Sequence, residues 1–346
     1  MTTMPQSVIA GAIRTVETVP LPDSVLRFGV QQLIGTRPRS LEPNASIDRA
    51  FADDMRRRAI ALHADAANAQ HYELPEEFFG LTLGPHRKYS SCYYATGRET
   101  LGEAEAAALA ITVERAGLTD GHRILELGCG WGSLTLFMAA RYPNASITAV
   151  SNSASQRRYI EETARARGLG NVRVITCDMN AFQPEGPFDR VVSVEMFEHM
   201  SNWEALLAKV RDALAPDGRL FIHVFSHRAT PYRFDHTDPT DWIGQYFFTG
   251  GIMPSDGLIR QFSNLVEVEE EWRWSGTHYA RTATHWIENF DRNAAEIERI
   301  LRDVYGPQAA LWKRRWRLFY LATEGLFGHA NGDEWGVKHY RLRPVR

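Results

Sequence analysis

Two carboxylates and an imidazole stand within five residues in Glu195-Met196-Phe197-Glu198-His199, at the end of the apolar run Val191-Val192-Ser193-Val194. Acid and base groups this close together suit proton transfer to or from a substrate, and a carboxylate among them can also hold a cationic nitrogen. The plainer alternative is a helix start, where an acidic residue is favoured by the dipole. A second chemical feature lies upstream. Glu126-Leu127-Gly128-Cys129-Gly130-Trp131-Gly132 follows a hydrophobic stretch and opens a helical one. Glycines so placed let the backbone approach a ligand, typically a nucleoside cofactor, although a tight structural turn would use them too. The spacing is G-x-G-x-G, which differs from the dinucleotide fingerprint.

The elements around these motifs alternate. Strands are predicted over Arg123 to Leu127, Ser146 to Val150, Val172 to Cys177, Phe188 to Val194 and Leu220 to Val224. Helices are predicted over Leu101 to Ala116, Ser133 to Arg141, Ser153 to Arg167 and Trp203 to Leu214. Such alternation implies a parallel sheet with helices on both faces, whose carboxyl edge would carry both motifs. Before it, Pro20, Pro22, Pro38 and Pro43 break the chain and Ile47 to Ala67 reads as helix, an appended layer. After it, Thr230 to Met253 is rich in aromatics, Pro, Asp and Gly and suits a cap. Leu265 to Trp274 then reads as a strand, Thr282 to Val304 as one long helix, and Glu334 to Leu342 as a last strand.

Composition narrows the classes. The 346 residues are 44% hydrophobic and 23% charged, with 39 Lys plus Arg against 42 Asp plus Glu. A folded globular chain is expected, and a net charge of −3 lacks the basic footprint of a nucleic-acid binder. Three cysteines, Cys92, Cys129 and Cys177, form no CxxC pair, which suggests a reducing, cytoplasmic setting. His223 and His227 stand four apart with no third ligand at suitable spacing, so no metal site is expected. Val8 to Ile13 is too short for a membrane span or secretory segment.

The run I-L-E-L-G-C-G-W-G resembles the first motif of Rossmann-like S-adenosylmethionine (SAM) methyltransferases. Its W-G pair is similar to the family of cyclopropane fatty acid synthases, mycolic acid cyclopropane synthases and plant benzylisoquinoline enzymes such as coclaurine N-methyltransferase. Collinear motifs extend the resemblance: His71 to Pro75, Tyr89 to Tyr94, Ser151 to Gln156, Phe197 to Met200 and His278 to Thr282. It implies an α/β, class I methyltransferase sheet with an N-terminal helical layer and cofactor lid (1–100), a SAM-binding core (101–228), and a substrate cap with closing strands (229–346). SAM would place its amino acid end at Glu126, Gly128, Gly130 and Gly132, and its ribose at Ser151, Asn152 and Gln156. Its adenine would lie at Asp178 and Met179. Tyr89, Ser90 and Val194 complete the expected cofactor set.

On the acceptor side the resemblance implies that His199, steadied by Glu198, takes a proton from an amine, and that Glu195 holds the cationic nitrogen. Phe197, Trp242, Tyr246 and Phe247 are candidates for an aromatic cation pocket. The competing chemistry adds a methylene across a lipid alkene, with bicarbonate as base. In that branch the bicarbonate site maps onto Ser91, Glu198, His223 and Tyr279, with cysteine at the first position and glycine where this chain has Glu195. Glu195 and Asn331-Gly332-Asp333-Glu334-Trp335 favour the amine branch, and Tyr279 the lipid branch. A third reading is a SAM-binding protein without activity. The expected partners are a small amine or an acyl chain, with no nucleic acid and no integral membrane segment, and a homodimer is the expected assembly if one forms. Leu311 to Phe327 mixes aromatic and basic residues, as an interfacial helix or a packed lid would.

Overall fold

The computed structural model describes residues 6–36, 40–62 and 74–346. His71, Tyr72 and Glu73 of the His71 to Pro75 motif lie outside the described residues. The helix expected over Ile47 to Ala67 is shorter: it runs over Ala45–Met55, capped by Asn44, whose side chain accepts from the Ser46 N–H, and residues 63–67 lie outside the described residues.

Strand β1 (Arg123–Leu127) is buried beyond its first residue, because helices cover both faces of the sheet. Its alternating side chains feed two cores. Ile124 packs with Leu134, Met138, Val192 and Phe221, while Leu125 and Leu127 pack with Val191, Leu206 and Ile222. Parallel partners follow: β2 (Ser146–Ser151), β3 (Val172–Thr176), β4 (Phe188–Val194) and β5 (Leu214–His227). After the two-residue ribbon of β6 (Tyr232–Arg233) and β7 (Ile252–Met253), β8 (Val266–Ser275) and β9 (Trp335–Pro344) complete a seven-stranded sheet ordered β3-β2-β1-β4-β5-β9-β8. β9 is antiparallel to both of its neighbours. The order reverses around β1 and β4, and the crevice at their carboxyl ends is where open α/β sheets take ligands.

Two further elements differ from the sequence reading. β5 exceeds Leu220 to Val224 because pairing extends it. Phe188 faces Leu214 and Arg190 faces Arg219, with Ala215 to Gly218 bulged out between, and β9 holds the other end as far as His227. The helix expected over Thr282 to Val304 begins earlier, at Gly276, and is two helices, Gly276–Arg292 and Ala294–Tyr305. Asn293 interrupts them and donates its side chain to the Leu81 carbonyl at 2.8 Å.

The basic and aromatic stretch lies in the helix Ala309–Gly328, which packs within the protein. Trp316 and Tyr320 are fully buried, Arg317 pairs with Asp23 and Asp291, Lys313 with Glu298, and Arg315 with Glu17. Among the described residues no helix is long and apolar enough to cross a membrane.

Candidate active site

The glycine turn leaves β1 with Gly128, Gly130 and Gly132 all at positive φ. A Cβ on Gly128 would lie 2.5 Å from Met196, so the turn and the acidic motif touch. A Cβ on Gly130 would meet nothing within 4 Å, because the turn there faces an open cavity.

That cavity is lined from the turn by Glu126, Gly128 and Gly130, and from the second strand tip by Ser151, Asn152 and Gln156. Asp178 and Met179 line it after β3, Tyr89 and Ser90 on the N-terminal side, and Val194, Glu195 and His199 at the end of β4. Gly132 is outside it: a Cβ there would lie 2.5 Å from Ile160, so this glycine serves helix packing. Ser151 Oγ donates to Gln156 Oε1 at 2.6 Å, which fixes the amide and leaves Nε2 buried without an acceptor among the described residues. Asp178 Oδ1 accepts from the Asn180 N–H at 2.6 Å, so one of its oxygens caps the loop. Burial pushes the Glu126 carboxyl up to about 8 against the 2.5 Å hydrogen bond from Thr135 Oγ1.

The acceptor side centres on Glu195, a non-glycine residue with φ 46°. Its Oε1 accepts from the Ser91 N–H at 2.9 Å and His223 Nε2 at 3.1 Å, and its Oε2 accepts from the Tyr279 hydroxyl at 2.7 Å. His223 and Tyr279 therefore stand behind Glu195 and do not line the cavity. Burial drives the Glu195 carboxyl upward, opposed by the charge of Lys88 and by the Ser91 and Tyr279 hydrogen bonds. His223 is fully buried and held well below its ordinary value, by burial first and then by the charges of Lys88 and Arg115.

Glu198 and His199 do not form the expected pair. Glu198 is fully buried, neither of its oxygens has a hydrogen-bond partner among the described residues, and burial and the nearby Glu195 hold it well above the usual carboxylate range. His199 instead lies against Phe248, with ring centroids 4.3 Å apart. Burial lowers it to about 4, partly offset by Glu195, so at neutral pH its lone pair is free of a proton.

The four aromatics proposed for a cation pocket are elsewhere. Phe197 is buried edge-on against Trp203. Phe247 stacks on Phe319, and Tyr246 lies under the Arg315 guanidinium. Trp242 packs on Phe247 and donates to Glu17 Oε1 at 2.9 Å. Aromatic density marked the cap but not which ring faces inward. Phe248, missed in the sequence, is the ring that packs on the cavity-lining His199, backed by Phe225 and Phe234; a side chain on Gly251 would occupy the space of its ring. Lys88, also missed, lines the cavity with its ammonium buried. His223 and His227 do not converge on a common ion, since His223 Nε2 meets Glu195 and His227 Nε2 meets Glu334.

Comparison with known proteins agrees with this architecture. The family model for mycolic acid cyclopropane synthetase matches residues 61–332. (S)-Coclaurine N-methyltransferase of Thalictrum flavum subsp. glaucum is 34% identical over 344 residues, 96% of this chain and 95% of its own. Cyclopropane-fatty-acyl-phospholipid synthase of Escherichia coli (strain K12) is 33% identical over 270 residues, covering 78% of this chain and 66% of its own. The crystal structure of coclaurine N-methyltransferase bound to N-methylheliamine and S-adenosylhomocysteine superposes with a TM-score of 0.92 at 33% identity, over 97% of this chain and 99% of that one. The chain belongs to the mycolic acid cyclopropane synthetase family, and its fold and family make it a SAM-dependent methyltransferase.

Proposed function

We propose that this enzyme transfers the SAM methyl group to the nitrogen of a small amine, and that Glu195 is the anion that makes this its chemistry. The observation that carries the reading is convergence. Ser91, His223 and Tyr279, three of the four positions that map onto a bicarbonate site in the lipid branch, all donate to the Glu195 carboxylate. The protein's own carboxylate thus stands where the lipid chemistry would hold a diffusible anion. A fixed negative charge beside the methyl donor attracts an ammonium and stabilises the methylated cation, whereas along an acyl-chain path it would be a costly buried charge.

Methyl transfer from a sulfonium needs alignment above all, which lowers a barrier by about 7 to 11 kcal/mol in well-oriented cases. SAM, when bound, supplies the activated methyl group. His199, unprotonated at neutral pH and facing the cavity, is the base that takes the acceptor's proton, and Phe248 holds its ring. Glu198, held well above the usual carboxylate range by burial and by Glu195, is pushed towards its neutral form beside that carboxylate. A cytoplasmic setting, a homodimer, and the division at residues 100 and 228 remain part of this proposal; the sparse cysteines, none of them disulfide-bonded, support the first.

The test is mass spectrometry of products after incubating the enzyme with isotopically labelled SAM and either an amine panel or unsaturated phospholipid vesicles, with and without bicarbonate. Label on amines supports the reading. Bicarbonate-dependent label on lipid alone would replace it with the cyclopropane reading.

A further inference from the structure

The chain from Gly84 to Cys92 is built around charges that the mechanism above does not use. Glu105 is fully buried and accepts from the backbone N–H groups of His86 at 2.8 Å and Lys88 at 3.1 Å. Gly84 is glycine because a Cβ there would lie 2.5 Å from that carboxylate. Lys88 is 2% exposed, and its Nζ donates to Ser90 Oγ at 2.5 Å and to the Ser91 carbonyl at 2.6 Å. Both acceptors are neutral, yet a buried ammonium needs a compensating charge. Ser91 connects it to one, since its carbonyl accepts from Lys88 while its N–H donates to Glu195 Oε1.

We propose that Lys88 is a positioning residue whose ammonium, bridged by Ser91, is the countercharge that keeps Glu195 a carboxylate beneath the acceptor. This rests on the reading of Glu195 as the acceptor-side anion.

The other groups facing Glu195 do not supply that charge. The Ser91 N–H and the Tyr279 hydroxyl are neutral donors. His223 and His199 are both held below their ordinary values by burial, so neither is charged at neutral pH, and Glu198, a carboxyl held high, can carry no positive charge. Against the upward pull of burial on Glu195, Lys88 is the largest opposing influence. From the other side Lys88 faces Cys92, whose thiol burial pushes up to about 12, and Glu105, whose carboxyl burial pushes up to about 7. The thiol carries no charge at neutral pH, and Glu105 titrates there. Glu195 and Lys88 thus each sustain the ionisation of the other.

The experiment measures kcat/KM for an amine substrate against pH in wild type, Lys88→Met and Lys88→Gln, each repeated in a Glu195→Gln background, with SAM affinity followed by calorimetry. Loss of the ammonium raises the Glu195 carboxyl, so the acid limb should move up by at least one pH unit and activity at pH 7 should fall at least tenfold. Lys88→Gln, which keeps hydrogen-bond donors, should lose as much. Neither change should matter once Glu195 is Gln, because no carboxylate is left to sustain. A loss equal at every pH, or one that persists in the Glu195→Gln background, would overturn the proposal and leave Lys88 as a brace for its loop. Full amine turnover in Glu195→Gln alone would instead sink the underlying reading of Glu195. Should the Lys88 variants not fold, lysine-selective NMR of Nζ in wild type and Glu195→Gln gives the reciprocal result. The Lys88 ammonium should titrate at lower pH without its partner, and identical titration in both proteins would reject the coupling.

Discussion

Tyr279 reaches across 84 positions of sequence to donate its hydroxyl to Glu195 Oε2 at 2.7 Å. The contact ties the helix Gly276–Arg292 to the tip of β4, and Phe327 stacks on the Tyr279 ring at 4.3 Å to hold it there. Tyr279→Phe keeps that stacking and removes only the hydroxyl. A hydrogen bond to a charged group is worth about 1.5 to 3 kcal/mol, so kcat/KM for an amine should fall about 10- to 150-fold. The acid limb should also move upward, since the hydroxyl lowers the Glu195 carboxyl. Steady-state kinetics showing an unchanged kcat/KM in a variant with normal melting would remove Tyr279 from the site.

Glu195→Gln should lower amine turnover by about one to three orders of magnitude, the loss of a charge-assisted contact. Glu195→Gly is more informative. Glycine accepts the positive φ at this position, and the change leaves three donors around a space shaped for a small anion. Added formate should restore part of the amine methylation in Glu195→Gly and none in Glu195→Gln. Rescue in neither, with both variants folded and inactive, would count against the anion-site reading.

The Glu126 carboxyl is protonated below about pH 8. If it meets the cationic amino end of SAM, binding must displace that proton, so affinity should climb as pH rises towards 8 and level off above it. Calorimetry in buffers of different ionisation enthalpy should report proton release in wild type and none in Glu126→Gln. A buffer-independent binding enthalpy in wild type would place Glu126 outside the cofactor contact.

His199→Ala should cut turnover at neutral pH by about 10²- to 10⁴-fold while leaving SAM affinity near normal. Part of the rate should return at higher pH, where the amine loses its proton unaided. A stability signature accompanies this. The folded value of about 4 is below the ordinary histidine value of 6.5, so the unfolded chain takes up the proton first as pH falls. His199 therefore favours the fold fully above 6.5, and that contribution is lost as pH drops towards 4. Urea midpoints of His199→Ala should lose this part of the slope, and parallel wild-type and variant curves between those two values would show His199 to be exposed and unperturbed.

Gly130→Val places a branched side chain in the open cavity and strains a residue at φ 50°. SAM affinity should fall at least tenfold, about 1.4 kcal/mol, without loss of the sheet. Calorimetry on the folded variant decides, and unchanged affinity would move the cofactor away from this turn.

What the sequence revealed was local. The turn at Gly128 to Gly132 and the run into Glu195 announce themselves through adjacent residue types, and both are at the predicted strand tips. Tertiary partners were hidden. Glu198 and His199 are neighbours in sequence, yet a one-residue step turns their side chains to different surroundings. Lys88 looks like any surface lysine until Glu105 and Ser91 close over it. The break at Asn293 is invisible because amphipathic spacing continues across it, and only the Leu81 carbonyl, distant in sequence, explains the interruption.

The position of β9 bears on how the molecule is made. Of the described strands it leaves the ribosome last, yet it lies between β5 and β8, both synthesised earlier. Vectorial folding from the N-terminus can assemble β1 to β5, but β5 then waits with an open edge, a template for wrong pairing. β8 has no neighbour until Trp335–Pro344 arrives. Sheet completion therefore waits on the last of the described strands, long after β1 to β5 are available to pair. A nonsense codon just before Trp335 would not trim the sheet; it would cut β8 off from the rest.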